Sequence, residues 1–315
     1  MEKLRIVFMG TPEFAVGILN TIIKNNYEVV GVITAVDKPA GRGQKLKYSA
    51  VKEYALEHHL KLLQPSNLKD ETFLAELQNL NANLQVVVAF RMLPEVVWRM
   101  PKLGTFNLHA SLLPNYRGAA PINWAIINGE NKTGVTTFFI DDKIDTGAMI
   151  LSKEIGISAE ENAGELHDRL MELGSGAVVE TLALIEKGNV TTTIQVDNSE
   201  IKTAYKLNRE NCKVDWTKSA TEIHNLIRGL SPYPSAWCFF QDNDEEWNVK
   251  LYEAKVILEQ HSFKVGQIIT TKKEIKVAVK DGFIQILSLQ LPGKKKMQAH
   301  ELLNGVTFSE RAQAE

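Results

Sequence analysis

The chain has 315 residues, 44% hydrophobic and 23% charged, which excludes a disordered chain, a collagen-like repeat and a coiled-coil rod. At about 100–200 residues per domain, the length suggests two domains. The formal net charge of −2 excludes a generally basic nucleic-acid binder, so any contact with a polyanion must use local clusters.

Residues 4–9 read as a continuous apolar strand, closed by Gly10-Thr11-Pro12. Helical spacing follows over 15–24, and 28–36 is a second buried strand rich in Val and Ile. Residues 49–58 are helical, 61–63 form a short strand, 69–78 are helical, and 84–90 (LQVVVAF) form another buried strand. Alternating β and α segments, with strands apolar on both faces, predict an α/β fold with a doubly wound, mostly parallel sheet. Further strands fall at 105–108, 133–140 and 149–157, followed by a long helix over about 163–185. The pattern changes near Lys187. Residues 188–204 are rich in Thr, Asn, Val and Ser without a clean period, and read as an interdomain linker. An amphipathic helix over 219–229 precedes short strands at 236–240, 250–256, 274–278 and 283–290, with turns at Asp242-Asn-Asp and Asp281-Gly282. That pattern predicts a small β-barrel. The expected organisation is a catalytic domain over 1–187, a linker over 188–206 and a barrel over 207–315.

No run approaches 18 apolar residues, so no transmembrane helix is expected. The apolar run 6–9 is too short for a secretory signal. Cys212 and Cys238 define no disulfide framework, and a reducing cytoplasm is the expected compartment. Several site classes are missing. The glycine pattern G-x-G-x-x-G is absent after the first strand, and so is a Walker-type loop, which argues against NAD and ATP. H-E-x-x-H, paired-cysteine and G-x-S-x-G motifs are also absent, so no metal is expected.

One segment stands apart: Asn107-Leu-His109-Ala-Ser-Leu-Leu-Pro114-Asn-Tyr-Arg117-Gly-Ala-Ala-Pro121. It begins at the C-terminal end of a predicted strand, where open α/β sheets bind ligands. Asn107 and His109 are two apart and point to the same face of an extended strand. A strand-end Asn is often a turn former and a lone His often a satisfied polar group, but two convergent groups before a rigid turn make that reading less comfortable. The strand over 133–140 runs into Asp141, Asp142 and Asp145 beside Gly147. That loop is expected on the same edge of the sheet as Asn107 and His109, since adjacent parallel strands put such loops within reach of each other. An Asn amide can donate to a developing oxyanion, and a His can donate a proton while a carboxylate orients it. This trio suits acyl or formyl transfer to an amine, with no covalent enzyme intermediate.

Two basic stretches complete the candidate sites. Residues 37–48 hold Lys38, Arg42, Lys45 and Lys47 among glycines, which suits either a solvated connection or an arm reaching nucleic acid. Residues 207–315 hold 15 Lys+Arg and 14 Asp+Glu, so any RNA contact there rests on clusters such as Lys272-Lys273 and Lys294-Lys-Lys296.

These motifs together closely resemble the methionyl-tRNA formyltransferases, of the formyltransferase superfamily. The superfamily carries an Asn, a His and an Asp in the order seen at Asn107, His109 and Asp145. The segment 109–121 looks like its signature, and Asp142 to Gly147 like its second. The likeness extends to Lys38-Pro-Ala-Gly-Arg-Gly43 and to Ile227-Arg-Gly-Leu-Ser-Pro-Tyr-Pro234. It implies N10-formyltetrahydrofolate as formyl donor and the amino group of initiator methionyl-tRNA as acceptor. It also implies a folate site around Phe90, Arg91, Met92 and Leu93, around Ser111, Leu112, Leu113 and Pro114, and at Asp142. tRNA contacts are implied at Lys38, Arg42, Lys45 and Lys47, and at Lys206, Lys272 and Lys294 toward the barrel. With no coiled-coil or repeat interface visible in the sequence, a monomer off the membrane is expected. The same trio would serve a formyltransferase acting on an amino-sugar nucleotide, or a formyltetrahydrofolate hydrolase. A non-catalytic RNA-binding protein on an enzyme scaffold is a further alternative, opposed by the intact trio.

Overall fold

A computed structural model of the chain describes residues 3–40, 45–196 and 200–315. They fall into two compact units that share the chain in alternation. Met1–Gly118, Thr133–Ile155 and His167–Thr203 make the first, and Ala119–Lys132, Gly156–Leu166 and Ala204–Glu315 the second.

The first unit opens with β1 (Arg5–Gly10), α1 (Glu13–Lys24) and β2 (Glu28–Ile33). A ribbon of β3 (Lys38–Ala40) and β4 (Lys45–Lys47) precedes α2 (Ala50–Glu57) and β5 (Leu62–Leu63). Then come α3 (Glu71–Asn79), β6 (Leu84–Val88), α4 (Glu95–Trp98), β7 (Thr105–His109) and β8 (Arg117–Gly118). After α5 (Pro121–Ile127) of the second unit, the chain returns through β9 (Lys132–Phe139), β10 (Met149–Gly156) and the long α6 (Ala163–Glu186). The helix starts follow local chemistry. Ser49 accepts from the Lys52 backbone N–H to cap α2, and Asp70 accepts from Phe73 to cap α3.

The sheet runs β10-β9-β7-β6-β1-β2-β5. β1 pairs in parallel with both β2 and β6, β2 with β5, and β6 with β7. Every residue of β6 and all but the first of β1 are buried, as a central strand covered on both faces requires. One face packs Val7, Met9, Ile33 and Val87 against Phe73, Leu77 and Val97 of α3 and α4. On the other, α6 lies so close that a Cβ on Gly174 would sit 2.8 Å from Leu108.

Within residues 37–48, Lys38 pairs with Lys47 and Pro39 with Leu46 in a ribbon that leaves both readings of the segment open. One expectation needs correction here. β9 is antiparallel to β7, with Phe106 opposite Phe139 and His109 opposite Thr136. The aspartate loop therefore leaves β9 beside the start of β7, not beside its end. Apolar content shows that a strand is buried but not which way it runs.

β11 (Thr203–Ala204) leads into the second unit. It holds α7 (Ala220–Leu230), β12 (Ala236–Asp242), β13 (Glu245–Ile257), β14 (Ile268–Thr270), β15 (Ile275–Val279), β16 (Gly282–Gln290), β17 (Met297–Gln298), α8 (Ala299–Leu302) and β18 (Gln313–Ala314). The order is β14-β15-β16-β13-β12-β18, with β17 on β16. The two ends meet: Ile268 N–H donates to Ala312 O at 2.9 Å and Ala314 N–H to Gly266 O at 2.7 Å. The result is a nearly closed antiparallel barrel around Val249, Ile284, Cys238, Phe240 and, from α7, Ile223 and Ile227. Ser219 and Glu222 form a capping box on α7. β13 starts five residues earlier than its apolar run suggests, because exposed Glu245 and Glu246 belong to a hairpin whose turn holds Asn243 at φ 54°.

Candidate active site

Asn107 and His109 stand on β7, two residues apart and on one face of the sheet. The Asn107 amide is half-buried and has no hydrogen-bond partner among the described residues, so its N–H groups are available to a ligand. His109 is 7% exposed. Its Nε2 lies 2.8 Å from the Tyr116 carbonyl. A carbonyl only accepts, so Nε2 carries a proton and any exchange with substrate uses Nδ1. Nδ1 is 3.8 Å from Asp145 Oδ2.

Asp145 reaches this point because the 140–148 loop folds back over β7. It adopts φ 55°, a left-handed conformation that an Asp tolerates better than most residues. Gly147 presses against β9, where a Cβ would lie 1.7 Å from Phe139 O, so only glycine fits. The Gly118 N–H donates to Asp145 Oδ2 at 2.9 Å, which fixes the orientation of the carboxyl group. Asp141 accepts from the Thr146 hydroxyl and the Lys143 N–H, closing the loop on itself.

A residue that sequence reasoning missed holds this loop. Gln195 donates from Nε2 to Asp145 O at 2.9 Å and to Gly147 O at 2.8 Å. Its Oε1 accepts from Arg117 Nη2 at 2.8 Å and Nε at 3.1 Å. Nearby, Thr193 and Met149 exchange two backbone bonds of 2.8 Å. Gln195 sits in the aperiodic stretch read as linker, and its one sequence signal is Arg117 inside the signature segment.

The folate residues divide. Arg91, Met92 and Leu93 line an open groove of about 980 Å³, with residues 66–69, 94–96 and Arg99 in the other walls. Arg91 donates to the carbonyls of Pro65 and Ser66 at 2.5 and 2.9 Å, joining the groove's two sides; residues 66–69 carried no sequence signal. Phe90 is half-buried under the Arg91 guanidinium. Ser111 to Pro114 form the turn after β7 and do not line that groove. Ser111 Oγ donates to Asn115 O, and Thr136 Oγ1 donates to Ser111 O. Leu113 is buried, Leu112 and Pro114 are half-buried, and Asp142 is exposed.

Of the basic residues, Lys38 and Lys47 face one another across the ribbon and are exposed. Lys45 pairs with Ala40 through its backbone, and Arg42 lies outside the described residues. Lys206, Lys272 and Lys294 are exposed on the second unit. Among the described residues, no group of three or more His, Cys, Asp or Glu side chains is disposed to hold a metal, and no helix is long and apolar enough to cross a membrane.

Comparison with known proteins identifies the architecture. Residues 4–182 match the Formyl transferase family and residues 206–307 the Formyl transferase, C-terminal domain family. Methionyl-tRNA formyltransferases from Flavobacterium johnsoniae and Flavobacterium psychrophilum are 77% and 74% identical, each over 99% of both chains. The relative from Bacteroides thetaiotaomicron is 53% identical over 98% of both. The crystal structure of WlaRD, a sugar 3N-formyl transferase, superposes with a TM-score of 0.65 at 23% identity, covering 94% of this chain and all of that one; at that identity the likeness is one of fold.

Proposed function

The chain belongs to the methionyl-tRNA formyltransferase family, which formylates the amino group of methionine on initiator tRNA, and we propose that Asn107, His109 and Asp145 carry the transfer from N10-formyltetrahydrofolate. The observation that supports this best is the juxtaposition of His109 and Asp145 at 3.8 Å beside an Asn107 amide with no partner among the described residues. The folate supplies a formyl group on nitrogen. The half-buried apolar side chains of Phe90, Leu112 and Pro114 suit its ring system, and the Arg91 groove its remaining length.

In this reading the neutral methionyl amine attacks the formyl carbon. Asn107 and protonated His109, through Nδ1, donate to the developing oxyanion. Asp145 stabilises the imidazolium and assists proton removal from the incoming ammonium. As the new carbon–nitrogen bond forms, the bond to the folate nitrogen breaks, and that nitrogen takes back a proton by way of His109. The fixed Nε2–H bond to Tyr116 keeps Nδ1 aimed at the reacting atoms.

Lys38, Arg42, Lys45 and Lys47 would meet the acceptor end of the tRNA, and Lys206, Lys272 and Lys294 its backbone along the barrel. We read the chain as a catalytic domain over 1–187 and a tRNA-holding barrel over 207–315, joined by 188–206; the family matches over 4–182 and 206–307 support that reading. One chain supplies every residue of the trio, so a monomer suffices, and the cytoplasm is where such a reaction meets translation.

The test is formyl transfer from N10-formyltetrahydrofolate to initiator methionyl-tRNA, beside elongator methionyl-tRNA and reactions without acceptor. Rapid formylation of the initiator alone supports the reading. Formate release without acceptor at the same rate would turn it to hydrolysis, and transfer only to amino-sugar nucleotides would overturn the tRNA assignment.

A further inference from the structure

The outer face of β12 and β13 carries a small pocket walled in part by Trp237. Trp237 pairs with Lys250 and Phe239 with Asn248, and opposite residues of an antiparallel pair project to the same face. Ala236, Cys238 and Phe240 between them are buried in the barrel, while Trp237 and Phe239 are half-buried. Trp237 Nε1 donates to Arg209 O at 2.8 Å, which fixes the indole. The Arg209 guanidinium lies 4.1 Å from the indole centroid. Phe239 meets Trp237 edge-on, with centroids 5.3 Å apart. Lys213 Nζ sits 5.7 Å from the Trp237 ring and 5.5 Å from that of Phe239.

The pocket has a volume of about 290 Å³, with Asn208, Arg209, Pro234, Trp237, Asn248 and Lys250 in its walls. That is the lower edge of the ~300–1,000 Å³ usual for small-ligand sites. Among the described residues, Arg209, Lys213 and Lys250 form no ion pair. The acidic Glu245 and Glu246 stand at the far end of the hairpin, opposite Asp242 and Gln241, while Glu210, Asp215 and Glu315 line a separate pocket with Lys213. The Asn248 Nδ2 is buried without a hydrogen-bond partner among the described residues, a costly state that a ligand acceptor would relieve.

We propose that this pocket takes a single unpaired nucleobase of a bound RNA, with adenine favoured. The inference rests on the RNA-binding reading above and names a place on the barrel that its lysines alone do not. Flat indole and guanidinium surfaces stack any base. Arg209 and Lys250 in the pocket's walls meet the flanking phosphates. An amide that presents both donor and acceptor matches the N6/N7 edge of adenine. A pocket for one base, not a long groove, implies contact with a loop or bulge nucleotide, while paired regions meet surface lysines.

The experiment titrates the full chain with short labelled oligoadenylate and oligouridylate at fixed low salt, by fluorescence anisotropy. The expected result is tighter binding of oligoadenylate, weakened about 10-fold by Trp237→Ala and largely retained by Trp237→Phe, which keeps a stacking face. Asn248→Leu should erase the preference for adenine. Thermal melts of each variant establish that it is folded. Binding by folded Trp237→Ala equal to the parent, or no binding of either oligomer, overturns the pocket; an unchanged preference in Asn248→Leu overturns the adenine assignment. Initiator formylation by the same parent preparation separates the two readings. Intact formylation with unaltered Trp237→Ala binding removes the pocket alone, whereas oligomer binding without formylation removes the tRNA reading alone.

Discussion

Gln195→Ala removes four hydrogen bonds at once: two donated to the carbonyls of Asp145 and Gly147 and two accepted from Arg117. At about 1 kcal/mol net for each neutral bond and somewhat more for those from the guanidinium, less what water recovers at half-buried Arg117, the loss is about 2–4 kcal/mol of stability. The kinetic effect should be larger than stability alone suggests. Asp145 occupies a left-handed backbone conformation that its surroundings must hold in place. A displacement of its carboxylate by about 1 Å costs on the order of 10²-fold in turnover. Gln195→Glu separates the two roles. Its carboxylate still accepts from Arg117, but it cannot donate and places negative charge against two carbonyl oxygens. It should keep more of the stability than Gln195→Ala and lose turnover at least as severely. Denaturant midpoints and single-turnover formylation with saturating tRNA measure both quantities. Turnover within about twofold of the parent in a folded Gln195→Ala variant would refute the clamp.

Asn107→Ala, His109→Ala and Asp145→Ala should each lose at least about 10²-fold in turnover, measured under saturating substrates; a residue whose removal leaves turnover intact has no part in the chemistry. Gly147→Ala drives a Cβ against Phe139 O and should cost about 1–3 kcal/mol or more in denaturant stability, together with activity. Burial pushes the His224 imidazole below its ordinary range, and Arg228 acts in the same direction against the pull of Glu160, 3.4 Å away. The folded state then binds fewer protons than the unfolded state, so this contribution is present above about pH 6.5 and is lost as pH falls through the lower folded value. The parent's melting temperature should drop on acidification through that window, and His224→Gln should drop less; equal slopes would show that His224 is not responsible.

Much of the fold is legible in short-range pattern. The strands β1, β2 and β6 declare themselves by apolar runs, and α2, α3 and α7 by helical spacing. The two-residue spacing of Asn107 and His109 places both on one face before any tertiary information is used. The ribbon at 38–47 was not legible, because three-residue strands carry too little pattern to separate from a loop. The β13 hairpin began beyond the apolar run that marks its second half.

The sequence by itself determined that the chain makes an α/β unit followed by a β-barrel, and that an Asn, a His and an Asp are available for transfer chemistry without a metal motif. Those properties reside in periodicity and in residues a few positions apart. Only the tertiary structure decided that β9 runs against β7 and that the Asp145 loop folds back to His109. It also decided that Gln195, fifty residues away along the chain, ties that loop to Arg117. Strand direction and loop clamping depend on contacts between distant segments. Their energies are set by which partners the whole fold brings together, and no local pattern encodes that choice.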